Sequence, residues 1–194
     1  YVPAPGSIYC GVRKLMPGSF ARLDVSSFSS RSIIETVYWD AAATARKGAE
    51  TRFTEEGTAL GAVNTDLQRA ISGQMIADVS VGAFLSGGID SSTFVALAQA
   101  QANAPIRTFT VGFEEAAFNE APFAARVAKH LGTEHTELTV TTTEALGVIP
   151  TLSHMFDEPF GDSSQIPTYL VARSARQEVT VALSGDAGDE VFGG

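Results

Sequence analysis

The stretch Ser86-Gly87-Gly88-Ile89-Asp90-Ser91-Ser92 lies between a short apolar run and a segment with helical character. Two adjacent glycines let the backbone approach a polyanion closely, and a helix that begins near Asp90 adds its N-terminal amides and its dipole. The three serine hydroxyl groups can donate hydrogen bonds to the same anion. Because a carboxylate beside phosphates is repelled by them, Asp90 indicates a metal ion between the two. The stretch therefore predicts a loop that binds phosphates together with a divalent cation.

Outward from this loop, short apolar runs alternate with helical patterns. We expect strands over residues 79–85, 106–113, 136–140 and 179–183, and helices over residues 54–75, 90–102, 119–132, 143–155 and 168–177. Strict alternation predicts an α/β fold, a parallel sheet with helices on both faces. Ligands of such sheets bind beyond the carboxyl ends of the strands, which is where the quoted loop lies.

A second polar cluster follows the last predicted strand. It reads Ser184-Gly185-Asp186-Ala187-Gly188-Asp189-Glu190-Val191-Phe192-Gly193-Gly194. Its three carboxylates would repel one another if all were ionised in water, and a divalent metal or a cationic partner removes that repulsion. Magnesium fits this composition, because it typically takes one or two carboxylates together with substrate phosphates.

Other common motifs for phosphate sites and serine chemistry do not fit. Gly82 to Gly87 has the gap of the common phosphate loop, but Gly88 stands where that loop needs lysine. The chain has neither a Gly-x-Gly-x-x-Gly dinucleotide loop nor a Gly-x-Ser-x-Gly nucleophile turn. We expect the three histidines to be surface or structural residues.

Bulk composition narrows the class of protein. The 194 residues suffice for one domain and an appendage, and the 44% hydrophobic and 18% charged content is that of an ordinary soluble globular chain. A formal charge of −9 argues against non-specific nucleic-acid binding. No run of about 18 apolar residues predicts a membrane span, and the start is not a signal peptide. Cys10 is the single cysteine, which favours a reducing cytoplasm and excludes an intrachain disulfide.

The two clusters resemble a known family. Residues 86–92 resemble the pyrophosphate loop of the ATP pyrophosphatase superfamily, and residues 184–194 narrow the resemblance to glutamine-dependent asparagine synthetases and close relatives such as β-lactam synthetases. Segments between the clusters are similar to the same family: Phe109-x-Val111-Gly112-Phe113, Phe118-Asn119-Glu120, Leu131-Gly132-Thr133-x-His135 and Asp157-Glu158-Pro159-Phe160-x-Asp162-Ser163-Ser164.

The resemblance also implies a domain organisation. Residues 1–23, with Leu15-Met16-Pro17-Gly18, resemble the last strands of an N-terminal glutaminase domain. Residues 1–35 would be the remnant of that domain, residues 36–53 a linker, and residues 54–194 a synthetase domain truncated at its C-terminus. We therefore expect both ends to be cut from a longer protein, and we expect this piece alone to be inactive.

Carried over position by position, the resemblance implies a set of site residues. Leu85 and Val111 would border the adenosine of ATP, and Ser184 and Gly185 would contact ATP through backbone groups. The β- and γ-phosphates would be held by Ser86, Gly87, Gly88, Asp90, Ser91 and Ser92. Asp90 and Asp189 would reach the magnesium ions. Asp186 would be the catalytic carboxylate, tied to forming the acyl-adenylate and to handling ammonia.

The implied reaction is the ATP-dependent amidation of a carboxylate by ammonia. The acceptor carboxylate, aspartate in the main family, attacks the α-phosphorus of ATP and becomes an acyl-adenylate. Ammonia made from glutamine in the missing domain then attacks the activated carbonyl. The implied cofactors are ATP and Mg²⁺, and the partners are small molecules, with no nucleic acid or membrane and with a homodimer left open.

One departure leaves the acceptor open. Better-known asparagine synthetases carry a Thr-Thr-x-Arg-Ala-Ser-Thr run near the aspartate pocket, whereas residues 160–166 contain no arginine to pair with a carboxylate. A relative that amidates or cyclises another carboxylate, such as a surface sugar or a β-amino acid, is the alternative enzyme. A nucleotide-binding module without chemistry is the third interpretation, and the intact Asp90, Asp186 and Asp189 argue against it.

Overall fold

A computed structural model describes residues 1–23, 33–115, 119–159 and 161–192 of the chain. The chain forms two compact units, one of Tyr1–Glu56 with Ser153–Gly161 and one of Gly57–Leu152 with Asp162–Gly194. Four residues of the quoted motifs lie outside the described residues: Phe118, Phe160, Gly193 and Gly194.

The first unit contains a two-stranded antiparallel sheet and a short helix. Strand β1 (Ser19–Leu23) pairs with β2 (Ile33–Val37), with Ser19 opposite Val37. Helix α1 (Ala41–Glu50) begins after Asp40, whose side chain accepts a hydrogen bond from the Ala43 amide at 2.7 Å. The stretch 36–53, for which the sequence predicts a linker, thus contains the end of β2 and a capped helix.

The second unit is built on a four-stranded parallel sheet in the order β5-β4-β3-β6. Its strands are β3 (Val81–Phe84), β4 (Arg107–Phe113), β5 (Glu134–Val140) and β6 (Val181–Leu183). The helices that follow α1 along the chain are α2 (Glu56–Gln74), α3 (Ile89–Gln101), α4 (Ala121–Leu131), α5 (Thr142–Met155), α6 (Gln165–Ala175) and α7 (Gly188–Phe192). The predicted α/β fold with a parallel sheet is confirmed.

Helices cover both faces of this sheet. Ala83 and Leu85 pack with residues of α2, α3 and α4, whereas the intervening Phe84 packs with residues of α6. Successive side chains of a strand point to opposite faces, so two helical layers flank β3. The core on the α6 side also includes Phe109, which is 1% exposed. In the described parts of the chain no helix has the length and apolarity needed to cross a membrane.

Helix α4 shows how local sequence fixes an element. Its start is marked by the Asn119 side chain, which accepts a hydrogen bond from the Ala121 amide at 3.1 Å, and by Pro122 in the first turn. It ends at Gly132, whose φ of 73° is left-handed, and the Gly132 amide bonds to the Ala128 carbonyl. The helix predicted over residues 119–132 is therefore present, with Glu120 as its N-cap and Gly132 as its C-cap.

A polar network links β4 and β5 close to the C-terminal end of α4. The Thr108 hydroxyl is fully buried and lies 2.9 Å from both the Thr133 hydroxyl and His135 Nδ1. The His135 Nε2 atom is buried and has no hydrogen-bond partner among the described residues. Burial of the imidazole lowers the pKa of His135, and the charge of Glu137 opposes this only in part. The folded protein therefore favours neutral His135.

We predict that acid weakens the fold through this histidine. A folded-state pKa below the ordinary value of 6.5 means that the stabilisation is complete above that pH and is lost as the pH falls towards the lowered folded pKa. Urea unfolding between about pH 8 and about pH 5 should show a smaller acid-induced drop in the free energy of unfolding for His135→Gln than for the native protein. Exposed His130→Gln should behave like the native protein. An equal drop in all three proteins would contradict the assignment.

Candidate functional site

A cavity of about 750 Å³ opens at the carboxyl ends of β3, β4 and β6. It contains most of the residues predicted from the sequence: Leu85, Ser86, Gly88, Asp90, Ser91, Val111, Ser184, Gly185, Asp186 and Asp189. Gly87 and Ser92 adjoin this set in sequence but do not line the cavity. The topology explains the meeting of the two clusters, because β3 and β6 are neighbouring parallel strands and both loops leave the same edge.

Gly87 is where the first loop touches helix α4. Its φ is 85°, and a Cβ atom there would lie 2.6 Å from the Ala124 amide nitrogen and 2.7 Å from the Phe123 carbonyl carbon. Both the backbone conformation and the space admit only glycine. The first turn of α4 therefore packs directly on the loop and fixes its path, which is a role in shape and not in lining the cavity.

The serine hydroxyls of the first loop bond mainly to the loop itself. The Ser86 and Ser91 hydroxyls lie 2.9 Å apart, the Ser86 amide donates to Ser91 Oγ at 3.2 Å, and the Gly88 amide donates to Ser86 Oγ at 3.2 Å. The Ser92 hydroxyl is buried and has no partner within the described part of the chain. The sequence predicted three hydroxyls aimed at an anion, whereas two of them close the turn.

The start of α3 supplies the anion-binding groups that this turn presents. Its N-cap residue, Gly88, has an extended backbone and no side chain to bond the first amides of the helix. The first four amides of a helix have no intrahelical partner, and the helix dipole adds positive potential at the same place. Amides at the start of α3 can therefore bind a phosphate group.

The second loop lies against the first. A Cβ atom on Gly185 would be 3.1 Å from both the Cα and the amide nitrogen of Ser91, and one on Gly188 would overlap the Asp90 carboxylate. Within the second loop the Asp186 amide donates to Ser184 Oγ at 3.2 Å. Helix α7 then begins at Gly188, within the second polar cluster, and carries Asp189 in its first turn.

The contact between the loops brings carboxylates together. Partial burial raises the pKa of Asp90, and the negative charge of Asp189, with a hydrogen bond between the two side chains, raises it further. Glu190 contributes in the same direction. The cost of holding these charges together is relieved by a proton or by a cation, so oxygen-only donors at this point suit a hard divalent ion such as magnesium.

The charged side chains of the cavity lining are all acidic. None of its described residues is a Lys, Arg or His. Six of them carry carboxylates: Asp90, Glu120, Asp162, Asp186, Asp189 and Glu190. Among the described residues no group of three or more His, Cys, Asp or Glu side chains has the arrangement of a protein-only metal cage. A polyanion therefore needs backbone amides and an accompanying cation to bind here.

The opposite wall of the cavity comes from α6 and was missed by the sequence prediction. Ser164, Pro167, Thr168 and Val171 line it, and their spacing of three, four and seven positions is one helical face. The Asp162 side chain accepts a hydrogen bond from the Ser164 amide at 2.8 Å, which lowers the pKa of that carboxyl and shapes the turn before the helix. The sequence does contain a signal for these residues, because the spacing of three, four and seven positions that starts at Ser164 places them on one helical face.

Comparison with known proteins is consistent with this geometry. The family model described as asparagine synthase matches residues 62–194. A putative glutamine-hydrolysing asparagine synthetase of Mycobacterium bovis is 38% identical over 194 residues, covering 100% of this chain and 29% of the relative. Asparagine synthetase 1 of Bacillus subtilis is 35% identical, with 100% and 29% covered, and a putative asparagine synthetase 2 of Methanocaldococcus jannaschii is 37% identical, with 100% and 36% covered.

These relatives are glutamine-hydrolysing asparagine synthetases by name, and the chain spans about a third of their length. The family match itself covers more than half of this chain and includes every residue that lines the cavity. From its sequence and from the two glycine-rich loops that the match contains, the chain belongs to the asparagine synthase family.

Proposed function

We propose that this chain forms the nucleotide-binding part of a ligase that amidates a carboxylate through an acyl-adenylate and releases AMP and pyrophosphate. The acceptor that the family membership favours is aspartate, with ammonia derived from glutamine elsewhere in the protein. The observation that supports the proposal most is the contact of two glycine-rich loops, with Asp90 over Gly188, at the carboxyl edge of a parallel sheet. Residues 1–35 are proposed to be the end of a glutaminase domain, and residues 36–53 a connection.

Phosphate binding is assigned to the first loop and to the start of α3. The β- and γ-phosphates would accept hydrogen bonds from backbone amides after Gly88, whereas the Ser92 hydroxyl predicted from the sequence is buried and does not line the cavity. Gly87 allows this arrangement by fitting under α4, and the bond between Ser86 and Ser91 holds the turn in shape. This preorganisation matters because phosphoryl and adenylyl chemistry depends on positioning and electrostatics.

The nucleoside end of ATP is assigned to the β3 and β4 side of the cavity. Val111 lines the cavity and is half-buried, so its methyl groups offer an apolar surface to an adenosine. Leu85 is only 1% exposed and packs with core residues such as Val95, so its contact with a nucleotide is restricted to its few accessible atoms. Ser184 and Gly185 would contact ATP through backbone groups.

Magnesium fits the carboxylates Asp90 and Asp189. Desolvation and then the charge of Asp189 raise the pKa of Asp90, and the described lining offers no positive side chain to a triphosphate. Bound magnesium would neutralise the charge that develops on the departing pyrophosphate. Asp186 lines the same cavity and is proposed to accept the proton that ammonia loses when it attacks the acyl carbonyl.

The acceptor is assigned to the α6 wall. The first loop and the second loop take the phosphates, so the remaining side of the cavity, with Ser164, Thr168 and Val171, is left for the carboxylate substrate. Hydroxyl and backbone donors are available there, in keeping with the absence of an arginine from residues 160–166. A buried carboxylate needs such donors, because desolvation without partners costs a few kcal/mol.

We predict that Asp90→Asn and Asp189→Asn each reduce magnesium-dependent pyrophosphate release by about a hundredfold or more, because each change removes an oxygen anion from the cation site. The full-length protein should keep its circular dichroism spectrum. The matched control is Asp78→Asn, an exposed aspartate outside the cavity, which should release pyrophosphate at the native rate. Native rates in both site variants would refute the assignment of the metal site.

We further predict that aspartate supports AMP formation with ammonia as the nitrogen source. The measurement compares aspartate with a panel that includes a β-amino acid and a sugar acid, in the full-length protein. If aspartate is inert while another member of the panel yields AMP, the acceptor assignment is wrong and the adenylation assignment stands. AMP formation with none of them would argue against the ligase function itself.

A further inference from the structure

The Asn119 side chain holds the first turn of helix α4. Its Oδ1 atom accepts a hydrogen bond from the Ala121 amide at 3.1 Å, two positions further on, which is the bond of an Asx turn. Glu120 is the N-cap residue of the helix, yet its side chain makes no capping hydrogen bond. The side-chain bond to the first turn therefore comes from Asn119.

This first turn packs on the end of strand β4. A Cβ atom on Gly112 would lie 2.9 Å from Asn119 Oδ1 and 2.9 Å from the Ala121 Cβ atom. Ala121 is 0% exposed, and β4 ends at Phe113. The start of α4 is therefore fixed against the carboxyl end of the sheet, where the cavity opens.

The next residues of α4 contact the first glycine-rich loop. Gly87 is so close to the helix that a Cβ atom there would lie 2.8 Å from the Phe123 Cβ atom, and the neighbouring Ala124 is fully buried. At the start of the loop, the Leu85 amide donates to the Phe109 carbonyl at 2.9 Å, and the far end of the loop continues into α3. Between these two points, the contact with α4 limits where Gly87 can lie.

The sheet separates this contact from the α6 wall of the cavity. Ala124 of α4 packs in the core with Ala83 and Leu85, whereas Val171 of α6 packs in the core with Phe84 on the opposite face. A shift in the first turn of α4 therefore acts on the phosphate loop and not on the α6 wall.

We propose that Asn119 is a positioning residue for the phosphates of ATP. It does not line the cavity, and it acts through the first turn of α4 and through Gly87 without touching the nucleotide. Loss of its bond to Ala121 loosens the surface on which Gly87 packs, so the amides at the start of α3 are no longer held in one arrangement. The inference rests on the proposed function and adds to it a residue outside the cavity.

The test measures apparent KM values for ATP, with magnesium in excess, and for the carboxylate in pyrophosphate release by the full-length protein. The carboxylate is aspartate, or the member of the panel above that yields AMP. Asn119→Ala should raise the KM for ATP about tenfold, because small displacements of positioning groups weaken productive binding, and should change the KM for the carboxylate by less than about twofold. Asn119→Ser should give an intermediate KM for ATP, because a serine hydroxyl makes the corresponding turn bond more weakly.

Gly112→Ala perturbs the same turn from the β4 side, because the added methyl group collides with Asn119 and Ala121. It should raise the KM for ATP with the same selectivity, and it carries the test if Asn119→Ala does not fold. Asn64→Ala is the matched control, because the exposed Asn64 of α2 also accepts a side-chain hydrogen bond, from Gln68 at 3.3 Å. This control should leave both KM values at their native level.

Amide hydrogen exchange gives a second measurement that needs no nucleotide. Exchange over residues 86–89 should be faster in Asn119→Ala than in the native protein and in Asn64→Ala, because the loop loses its support from α4. Native exchange rates over these residues in Asn119→Ala would contradict the coupling between α4 and the loop.

The kinetic results separate the inference from the proposed function. A native KM for ATP in Asn119→Ala and Gly112→Ala, or an equal rise in both KM values, would remove the positioning role, while pyrophosphate release by the native protein left the proposed function intact. If the native protein releases no pyrophosphate with any carboxylate of the panel, the proposed function fails, and the role of Asn119 in phosphate binding fails with it.

Discussion

The proximity of Asp90 to Asp189 is the constraint on which the site depends. Each carboxylate belongs to a different glycine-rich loop, and the loops approach so closely that Gly185 lies against Ser91 and Gly188 lies beneath Asp90. Side chains at these two glycines would force the loops apart. Desolvation raises the pKa of Asp90 and the charge of Asp189 raises it further, so the free protein carries an electrostatic cost that a divalent cation relieves.

The parallel sheet is what makes this approach possible. Strands β3 and β6 are about a hundred positions apart in sequence but adjacent in the sheet, with Ala83 opposite Leu183. Two loops that leave the same edge of neighbouring parallel strands must meet, and α3 directs its N-terminal amides into the same space. The α6 wall then completes the cavity at this edge of the sheet.

Hydrophobic periodicity and helix-terminating residues allowed the helices and strands to be predicted. Contacts between residues far apart in sequence could not be predicted from these local patterns. Gly132 ends α4 by local chemistry, as the helix predicted over residues 119–132 requires, whereas the N-cap is Glu120, one position after Asn119. Helix α7 escaped prediction because its sequence, Gly-Asp-Glu-Val-Phe, is too short and polar to show a helical stripe. The bond between the Ser86 and Ser91 hydroxyls and the bonds of Glu158 to the N-terminal segment depend on tertiary packing, which no local pattern specifies.

The chemistry proposed for the site has one direct isotopic test. In the proposed reaction of the full-length protein, an acceptor with both carboxylate oxygens labelled with ¹⁸O would attack the α-phosphorus, and ammonia would then expel AMP with one of these oxygens attached. The measurement is the ¹⁸O content of AMP by phosphorus NMR or mass spectrometry. We expect one labelled oxygen in AMP and one in the amide. Unlabelled AMP, or ADP with labelled phosphate, would contradict an acyl-adenylate.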